Sequence, residues 1–176
     1  MWEEPCISGT KGSGTVFFSG CSLKCCFCQN YRISAENFGR GITVKRLSEI
    51  FLELQDKGAH NINLVSPTHY VPQIITALDM CRDKLHIPVA YNCGGYEKTE
   101  TIEMLRGYID IFMPDMKYYS SELSEKYSAA PDYFEYASKA IAKMIEIAGE
   151  PVFDENGILQ SGVIIRHMVL PTHRRD

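Results

Sequence analysis

The chain has 176 residues, 45% of them apolar, and a formal charge of −4 at pH 7, which suits one domain with a single buried core. The negative charge argues against the concentrated basic surface that binds nucleic acid without regard to its sequence. No apolar run reaches the roughly 20 residues of a membrane helix, and the first residues lack the pattern of a secretory signal. We therefore expect a cytoplasmic protein that binds neither membrane nor nucleic acid.

Extended and helical patterns alternate along the chain. Residues 15–19 predict a first strand, and Thr43 predicts the N-cap of a helix whose apolar face begins at Leu47. The further predicted strands cover 62–65, 88–91, 108–113 and 163–170, and the further predicted helices cover 74–81, 98–106 and 131–149. Five strands alternating with helices predict a parallel sheet, either doubly wound or curled into a barrel. No helix follows the last strand, so we expect a truncated chain or an abrupt end.

Polar residues and glycines follow each predicted strand. In a curled parallel sheet, reactive groups collect on the loops at the C-terminal ends of the strands. In strand order, these loops contain residues 21–28, 66–69, 92–95 and 114–117, and then Arg166, His167 and His173. The sequence therefore predicts one site along this edge.

Four of the seven cysteines lie between residues 21 and 28. Cys21, Cys25 and Cys28 have a C-x3-C-x2-C spacing, which can bind three corners of an iron–sulfur cluster and leave one iron open, whereas ferredoxin spacings supply four ligands. Zinc is the alternative metal, and its structural sites have four ligands. The candidates for a fourth zinc ligand are Cys6, His69 and Cys93.

The remaining cysteines have simpler interpretations. Cys26 lies between two predicted ligands and should point away from the metal. Cys81 lies on the apolar face of a predicted helix, where a buried free thiol is expected. Disulfides are not expected in a reducing compartment.

The cysteine motif, with Phe27 directly before Cys28, resembles the signature of radical S-adenosylmethionine (radical SAM) enzymes. The segments 2–9, 27–31, 61–65 and 67–70 are further similar to uncharacterised relatives of pyruvate formate-lyase activating enzyme. The similarity covers essentially the whole chain. It implies a single domain over residues 1–176 with an α/β fold, a partial (β/α)6 barrel of which five strands are present and the C-terminal part is missing.

The resemblance also implies the chemistry. A [4Fe–4S] cluster on Cys21, Cys25 and Cys28 would bind S-adenosylmethionine (SAM) through its open iron, and a flavodoxin- or ferredoxin-type donor would reduce it. Reductive cleavage would then release methionine and a 5′-deoxyadenosyl radical. Activating enzymes use this radical to place a glycyl radical on a protein partner. Two alternatives stay open: a radical SAM enzyme acting on a small molecule or peptide, and a metal-binding or electron-transfer module that never cleaves SAM.

The same resemblance assigns residues to the cofactor. Phe27 lies near the adenine, or else is an ordinary core aromatic. Asp115 and Lys117 match an Asp-x-Lys beside the bound SAM, and Asn92 replaces an aspartate of the activating enzymes. Lys117 and Arg166 supply positive charge where the carboxylate of SAM must bind.

The main departure from the family follows the second strand. Ser66, Pro67 and Thr68 replace the Gly-Gly-Glu segment that holds the amino group of SAM in the activating enzymes. Proline removes a backbone donor, but the Ser66 and Thr68 oxygens can still accept from an ammonium group. Asp110 and His167 are predicted to be structural.

Overall fold

Five parallel strands form the centre of the protein in a computed structural model that describes residues 4–173. A sixth, short strand pairs antiparallel at one edge, and the spatial order is β1-β2-β3-β4-β6-β5. The strands are β1 (Gly14–Phe17), β2 (Ile62–Val65), β3 (Val89–Cys93), β4 (Ile111–Pro114), β5 (Val152–Phe153) and β6 (Leu159–Val163). This architecture confirms the predicted α/β class and its five parallel strands.

Helices connect the parallel strands. They are α1 (Pro5–Ser8), α2 (Tyr31–Ser34), α3 (Val44–Asp56), α4 (Val71–Cys81), α5 (Thr99–Glu103), α6 (Ser121–Ser128) and α7 (Tyr133–Ala148). A 3₁₀ turn, Thr68–Tyr70, leads into α4. Among the described residues, no helix has the length and apolar character needed to cross a membrane.

The predicted start of α3 is confirmed. The Thr43 hydroxyl accepts a hydrogen bond from the Arg46 backbone N–H at 3.1 Å, which satisfies one of the amide donors left free at a helix N-terminus. The buried side of the helix presents Leu47 and Phe51 to the sheet. Together with α4, α5 and α7, this helix covers one face of the sheet and forms the main core.

The other face of the sheet has a smaller apolar cluster. Consecutive strand residues point to opposite faces, so Tyr91 joins the main core while Ala90 lies in the smaller cluster with Ile7 and Met113. The short helix α1 supplies Ile7, and the Asn61 amide group donates to the Ile7 carbonyl at 2.8 Å. Because Asn61 precedes β2, the C-terminal part of α1 lies at the N-terminal end of this face, while the Glu4 carboxylate, directly before α1, lies 3.8 Å from Arg166 Nη1 at the other end.

The predicted strand at 163–170 is wrong in its bounds. The regular strand ends at Val163 instead, where Gly162 and Val163 pair with β4. Beyond it the contact continues irregularly, through N–H groups of Ile164 and Arg166 that donate to β4 carbonyls and through the isolated Asp115–Arg166 bridge. The physical reason is Pro114, the last residue of β4, which has no N–H to donate to the neighbouring segment. The apolar side chains beyond Val163 stay exposed, at 49% for Ile165 and 63% for Val169.

The sequence did not predict β5, which forms an antiparallel hairpin with β6. The Asp154 carboxylate accepts backbone hydrogen bonds from Asn156 and Ile158 across its turn, both at 2.8 Å, a local geometry that aspartate favours in turns.

Helix α6 is also absent from the sequence prediction. Its buried side chains are Ser124 and Ser128, which are 1% and 0% exposed. A buried face made of serines produces no apolar periodicity, which is the main sequence signal for a helix. The Ser120 hydroxyl caps its N-terminus by accepting from the Leu123 backbone N–H at 3.3 Å.

Candidate active site

The four clustered cysteines lie on a loop at the C-terminal end of β1, as predicted. Cys21, Cys25 and Cys28 are half-buried, and Cys26 is exposed. Leu23 is the apolar anchor of the loop and packs into a cluster with Tyr118 and Tyr133. This difference in exposure fits three cysteines that bind metal and a fourth, Cys26, that does not.

The backbone of this cysteine loop is held by the end of α6. The Lys24 and Cys26 N–H groups donate to the carbonyls of Ser128 and Tyr127, each at 2.9 Å. The last carbonyls of a helix have no partner within the helix, so these contacts satisfy both partners.

Two of the three half-buried thiols also contact serine hydroxyls. Ser128 Oγ donates to Cys25 Sγ at 2.9 Å, and Ser34 Oγ lies 3.3 Å from Cys28 Sγ. Burial raises the pKa of the Cys21 and Cys25 thiols, and the positive charge of Lys117 opposes that shift. The thiols therefore lie close enough to Lys117 to interact with its charge.

Two of the three candidates for a fourth zinc ligand, Cys6 and Cys93, lie away from this loop, whereas the His69 ring lies beside Gly20, where its Cδ2 is 3.3 Å from the position that a Cβ would take. Cys93 is buried in the main core, and Cys6 packs against the smaller apolar cluster. Within residues 4–173, no three Cys, His, Asp or Glu side chains converge to hold a single metal ion. A cluster has a different requirement, since its cysteines bind separate irons.

A network of charged and polar side chains joins the ends of β3, β4 and β6. The Asp115 carboxylate lies 2.5 Å from Lys117 Nζ and 2.8 Å from Arg166 Nη2. Arg166 Nη2 also donates to the Asn92 side-chain oxygen at 2.6 Å. The structure thus brings together four of the residues that the sequence assigns to the cofactor.

Two glycines after β3 allow the neighbouring loops to approach closely. A Cβ on Gly95 would lie 2.1 Å from the Asp115 carbonyl oxygen, and one on Gly94 would lie 2.9 Å from Leu23 Cδ1. The buried Tyr133 hydroxyl accepts from the Lys117 backbone N–H at 2.9 Å and donates to the Asp115 carbonyl at 2.6 Å. No sequence pattern indicates this role of Tyr133, because an aromatic residue at the start of a long amphipathic helix predicts only core packing.

A buried acid that the sequence did not predict, Glu97, contacts the segment that follows β2. Ser66 has a left-handed backbone with φ of 56°, and the Thr68 hydroxyl donates to Glu97 Oε1 at 2.6 Å. Glu97 is 3% exposed, and its Oε2 has no hydrogen-bond partner among the described residues. Burial raises the pKa of Glu97 to about 7, against the opposing effect of the Thr68 hydrogen bond. The proton of Thr68 is directed to Glu97, and its lone pairs remain available as acceptors.

Phe27, Asp110 and His167 occupy more ordinary positions. Phe27 packs against the aromatic cluster beneath the cysteine loop, 6.5 Å between ring centroids from Tyr118. Asp110 accepts from the Val89 backbone N–H at 2.8 Å, and His167 Nδ1 donates to the Met116 carbonyl at 2.7 Å. Both polar residues make backbone contacts, as a structural role requires.

Comparison with known proteins yields a family and several relatives. The model of the Radical SAM superfamily matches residues 15–172. An uncharacterized protein of Methanocaldococcus jannaschii, MJ0674, is 31% identical over 172 residues, which cover 92% of this chain and 45% of that protein.

Solved structures share the fold at lower identity. SuiB of Streptococcus suis has a TM-score of 0.52 at 17% identity, over 92% of this chain and 41% of its own. Its structure bound to S-adenosylmethionine has a TM-score of 0.54 at 18% identity, over 90% and 41% of the two chains. Methylornithine synthase (PylB) has a TM-score of 0.54 at 15% identity, over 87% and 43%. The chain spans less than half the length of each of these relatives.

The residues of the site fit the two cofactors of this family. Three half-buried thiols share one loop and interact electrostatically, and Lys117 and Arg166 supply cations near them for a carboxylate. With the family model matched over residues 15–172, the chain belongs to the radical SAM superfamily, whose cofactors are a [4Fe–4S] cluster and S-adenosylmethionine.

Proposed function

We propose that this chain is the radical-generating part of a cytoplasmic enzyme related to pyruvate formate-lyase activating enzyme, and that its substrate is a glycyl-radical protein. When bound, a reduced [4Fe–4S] cluster and SAM supply a reductive cleavage that yields methionine and a 5′-deoxyadenosyl radical. The observation that carries the proposal is the position of the three-thiol loop beside the Asp115–Lys117–Arg166 network.

Each side chain of the site has a binding or orienting role in this proposal. Cys21, Cys25 and Cys28 hold three irons and leave the fourth open. Lys117 and Arg166 bind the SAM carboxylate, since both are cations with spare donors.

The second-strand segment and its surroundings complete the cofactor site. Oxygen atoms of Ser66 and Thr68 accept from the SAM ammonium group, because the Thr68 proton is directed to Glu97. Asn92 orients Arg166 through a 2.6 Å hydrogen bond. Phe27 offers an aromatic face for the adenine at the base of the cysteine loop.

Electrons reach the cluster from a separate donor of the flavodoxin or ferredoxin type. The cysteines outside the loop are Cys6, Cys81 and Cys93. They pack in apolar clusters, so the described part of the chain offers no second set of cluster ligands. We therefore propose that an external one-electron carrier reduces the cluster.

Anaerobic reconstitution with iron and sulfide tests the chemistry. We expect an electron paramagnetic resonance (EPR) signal of a reduced [4Fe–4S] cluster that changes when SAM is added, followed by methionine and 5′-deoxyadenosine in equal amounts. A reconstituted cluster that neither responds to SAM nor releases these products would identify an electron-transfer module instead. A protein that binds only zinc would contradict both interpretations.

A second assay tests the proposed substrate class. Pyruvate formate-lyase serves as the glycyl-radical test protein and is mixed anaerobically with the reconstituted, reduced chain and SAM. We expect a glycyl-radical EPR doublet and cleavage of the test protein at that glycine when oxygen is admitted. SAM cleavage without either result would redirect the search to a small-molecule or peptide substrate.

A further inference from the structure

Helix α6 reaches the cysteine loop with a side chain as well as with its backbone. Ser128, its last residue, is fully buried and lies 103 residues away from Cys25 in the chain. Its hydroxyl donates to Cys25 Sγ at an Oγ–Sγ distance of 2.9 Å. This is a short contact for a hydrogen bond to sulfur, so the interaction is a direct one.

A second buried hydroxyl contacts the Ser128 hydroxyl, and the bond to Cys25 determines which of the two donates. Tyr118 Oη lies 2.7 Å from Ser128 Oγ, and Tyr118 is 1% exposed. A serine hydroxyl has one proton, and here that proton points to the sulfur. The Tyr118 hydroxyl must then be the donor, which gives a relay from Tyr118 through Ser128 to Cys25.

The surroundings hold the relay rigid. The backbone of Ser128 accepts from Lys24 at 2.9 Å, and α6 ends directly afterwards because Ala129 has a left-handed backbone. Tyr118 packs edge-on against Tyr133 with 5.4 Å between ring centroids. Both hydroxyls are therefore positioned by contacts that do not depend on the sulfur.

The other two thiols of the loop have weaker or different partners. Ser34 Oγ lies 3.3 Å from Cys28 Sγ, and both side chains are partly exposed. Cys21 is hydrogen-bonded by the Leu23 backbone, which no side-chain substitution removes. The relay to Cys25 is thus the most deeply buried side-chain contact of the three and the one best suited to a test.

Hydrogen bonds to cysteine sulfur change the reduction potential of a cluster. Reduction adds negative charge, a part of which resides on the sulfurs, and a donated proton stabilises that charge. Hydrogen bonds in a chain also polarise one another, so Tyr118 strengthens the donation by Ser128. Burial has the opposite effect, because a low-dielectric environment disfavours added charge.

We propose that Ser128, oriented by Tyr118, raises the reduction potential of the cluster through its hydrogen bond to Cys25. The inference rests on the proposed cluster ligation by Cys25. Ser128 is a positioning residue, because it acts on the cluster only through Cys25 and touches neither SAM nor substrate. The consequence is a cluster that a mild one-electron carrier can reduce more readily.

The midpoint potential of the reconstituted full chain tests the inference, with dithionite as reductant and EPR as the readout. We expect Ser128→Ala to lower the equilibrium constant for reduction about tenfold, a shift of about 59 mV to more negative potential. Tyr118→Phe should shift the potential in the same direction by less. Ser128→Thr, which keeps a hydroxyl, should restore the wild-type potential.

Ser124→Ala is the matched control. Ser124 lies on the same helix, is 1% exposed, and its hydroxyl donates to the Ser121 carbonyl inside the helix. Its substitution should leave the potential unchanged. A Ser128→Ala protein with a full cluster and the wild-type potential would overturn the inference.

The failure of this inference can be distinguished from the failure of the proposed function. If Ser128→Ala assembles no cluster, Tyr118→Phe decides the question, because it keeps Ser128 and its backbone contacts; an unchanged potential there overturns the inference. If the wild-type chain binds no cluster, the proposed function fails and the inference fails with it. A wild-type cluster that cleaves SAM while neither variant shifts the potential contradicts the inference alone.

Discussion

Asp115 is the residue that holds the two cations of the site together. Its carboxylate contacts both Lys117 and Arg166 and is about three-quarters buried. Partial burial strengthens these contacts relative to exposed ion pairs. Lysine has three N–H donors and arginine has five, so both keep donors for a second carboxylate while they contact Asp115.

Replacing one of these cations tests the cofactor site. We expect Lys117→Met to raise the dissociation constant for SAM about tenfold, because it removes a charge-assisted hydrogen bond worth roughly 1.5–3 kcal/mol. Cluster content should stay unchanged. Lys139→Met is the control, since Lys139 forms an exposed ion pair with Glu135 on α7. Equal SAM affinity in the two variants, measured by equilibrium dialysis, would exclude Lys117 from the site.

The cysteine loop makes a sharp prediction about single thiols. Cys21→Ala, Cys25→Ala and Cys28→Ala should each abolish the cluster, whereas Cys26→Ala should retain it because Cys26 is exposed. Iron content and visible absorbance after anaerobic reconstitution measure the result. Loss of the cluster in Cys26→Ala would refute the ligand assignment.

Glu97 makes the stability of the fold depend on pH. Its pKa is about 7 in the folded protein against an ordinary value of 4.5, so folding favours the protonated acid. The stabilisation is fully present below about pH 4.5 and is lost as the pH rises through about 7, by about 3 kcal/mol in all. Glu97→Gln should remove this component from the pH profile of the unfolding free energy.

Urea denaturation between pH 4.5 and pH 8 measures the profile. The exposed Glu100, three residues further along the chain, provides the control as Glu100→Gln. That variant should keep the wild-type slope. A Glu97→Gln profile parallel to that of the wild type would show that the acid does not titrate as its burial requires.

The loops after β3 and β4 fit together only because of a glycine. Gly95→Ala would add a Cβ 2.1 Å from the Asp115 carbonyl, whereas Gly107→Ala adds one with nothing within 4 Å. The two glycines have nearly equal backbone angles, with φ of 79° and 78°. Both variants should lose about 1–2 kcal/mol from the left-handed backbone.

The difference between the two variants isolates the contact between the loops. Gly95→Ala should lose roughly a further 1–3 kcal/mol from steric overlap, and its SAM affinity should fall because Asp115 moves. Chemical denaturation of both proteins measures the stability difference. Equal losses would mean that the β3 loop yields to the added methyl group at no cost.

Among the helices and strands, sequence patterns predicted those whose positions are determined by the burial of apolar side chains. Helix α3 followed from its apolar face and from Thr43, and the parallel strands followed from short apolar runs. Helix α6 did not, because its buried residues are serines whose role depends on a cysteine loop far away in the chain. Long-range polar contacts of this kind have no periodicity.

The candidate site was predictable to a similar extent. The cysteine spacing predicted the three thiols, the family resemblance assigned Asp115 and Lys117 to the cofactor, and strand order predicted that all of them lie along one edge. Glu97 and Tyr133 were not predictable, because each acts through a partner on another element: Thr68 for Glu97, and the backbone of Asp115 for Tyr133. The end of the last strand depends on Pro114 in the neighbouring strand β4, which has no N–H to donate, and the local sequence around residue 163 carries no trace of that partner.

In the molecule as a whole, the candidate site lies at one end of the sheet. The cysteine loop, the ends of β2 to β4 and Arg166 share that end, and Glu4, directly before α1, reaches Arg166 there. An open iron at such an edge is accessible to oxygen. We expect the reconstituted cluster to lose its visible absorbance in air, and SAM to slow that loss because it occupies the open iron.

Adenosine is the control for this protection. It has the base and ribose of SAM but no amino-acid group, so it cannot chelate the iron and should not slow the decay. The rates of absorbance loss, with and without each compound, measure the effect. Equal rates with SAM and with adenosine would contradict binding of SAM at the open iron.

The hydrogen bonds between the cysteine loop and α6 determine what happens to the loop when the cluster is lost. Its backbone is held by Ser128 and Tyr127 through bonds that contain no metal, unlike a zinc finger, which is unfolded without its ion. Loss of the cluster should therefore leave the three thiols in place and ready to receive another. We therefore expect iron and sulfide delivery to restore the cluster of a chain that oxygen has damaged, without unfolding, degradation or new synthesis.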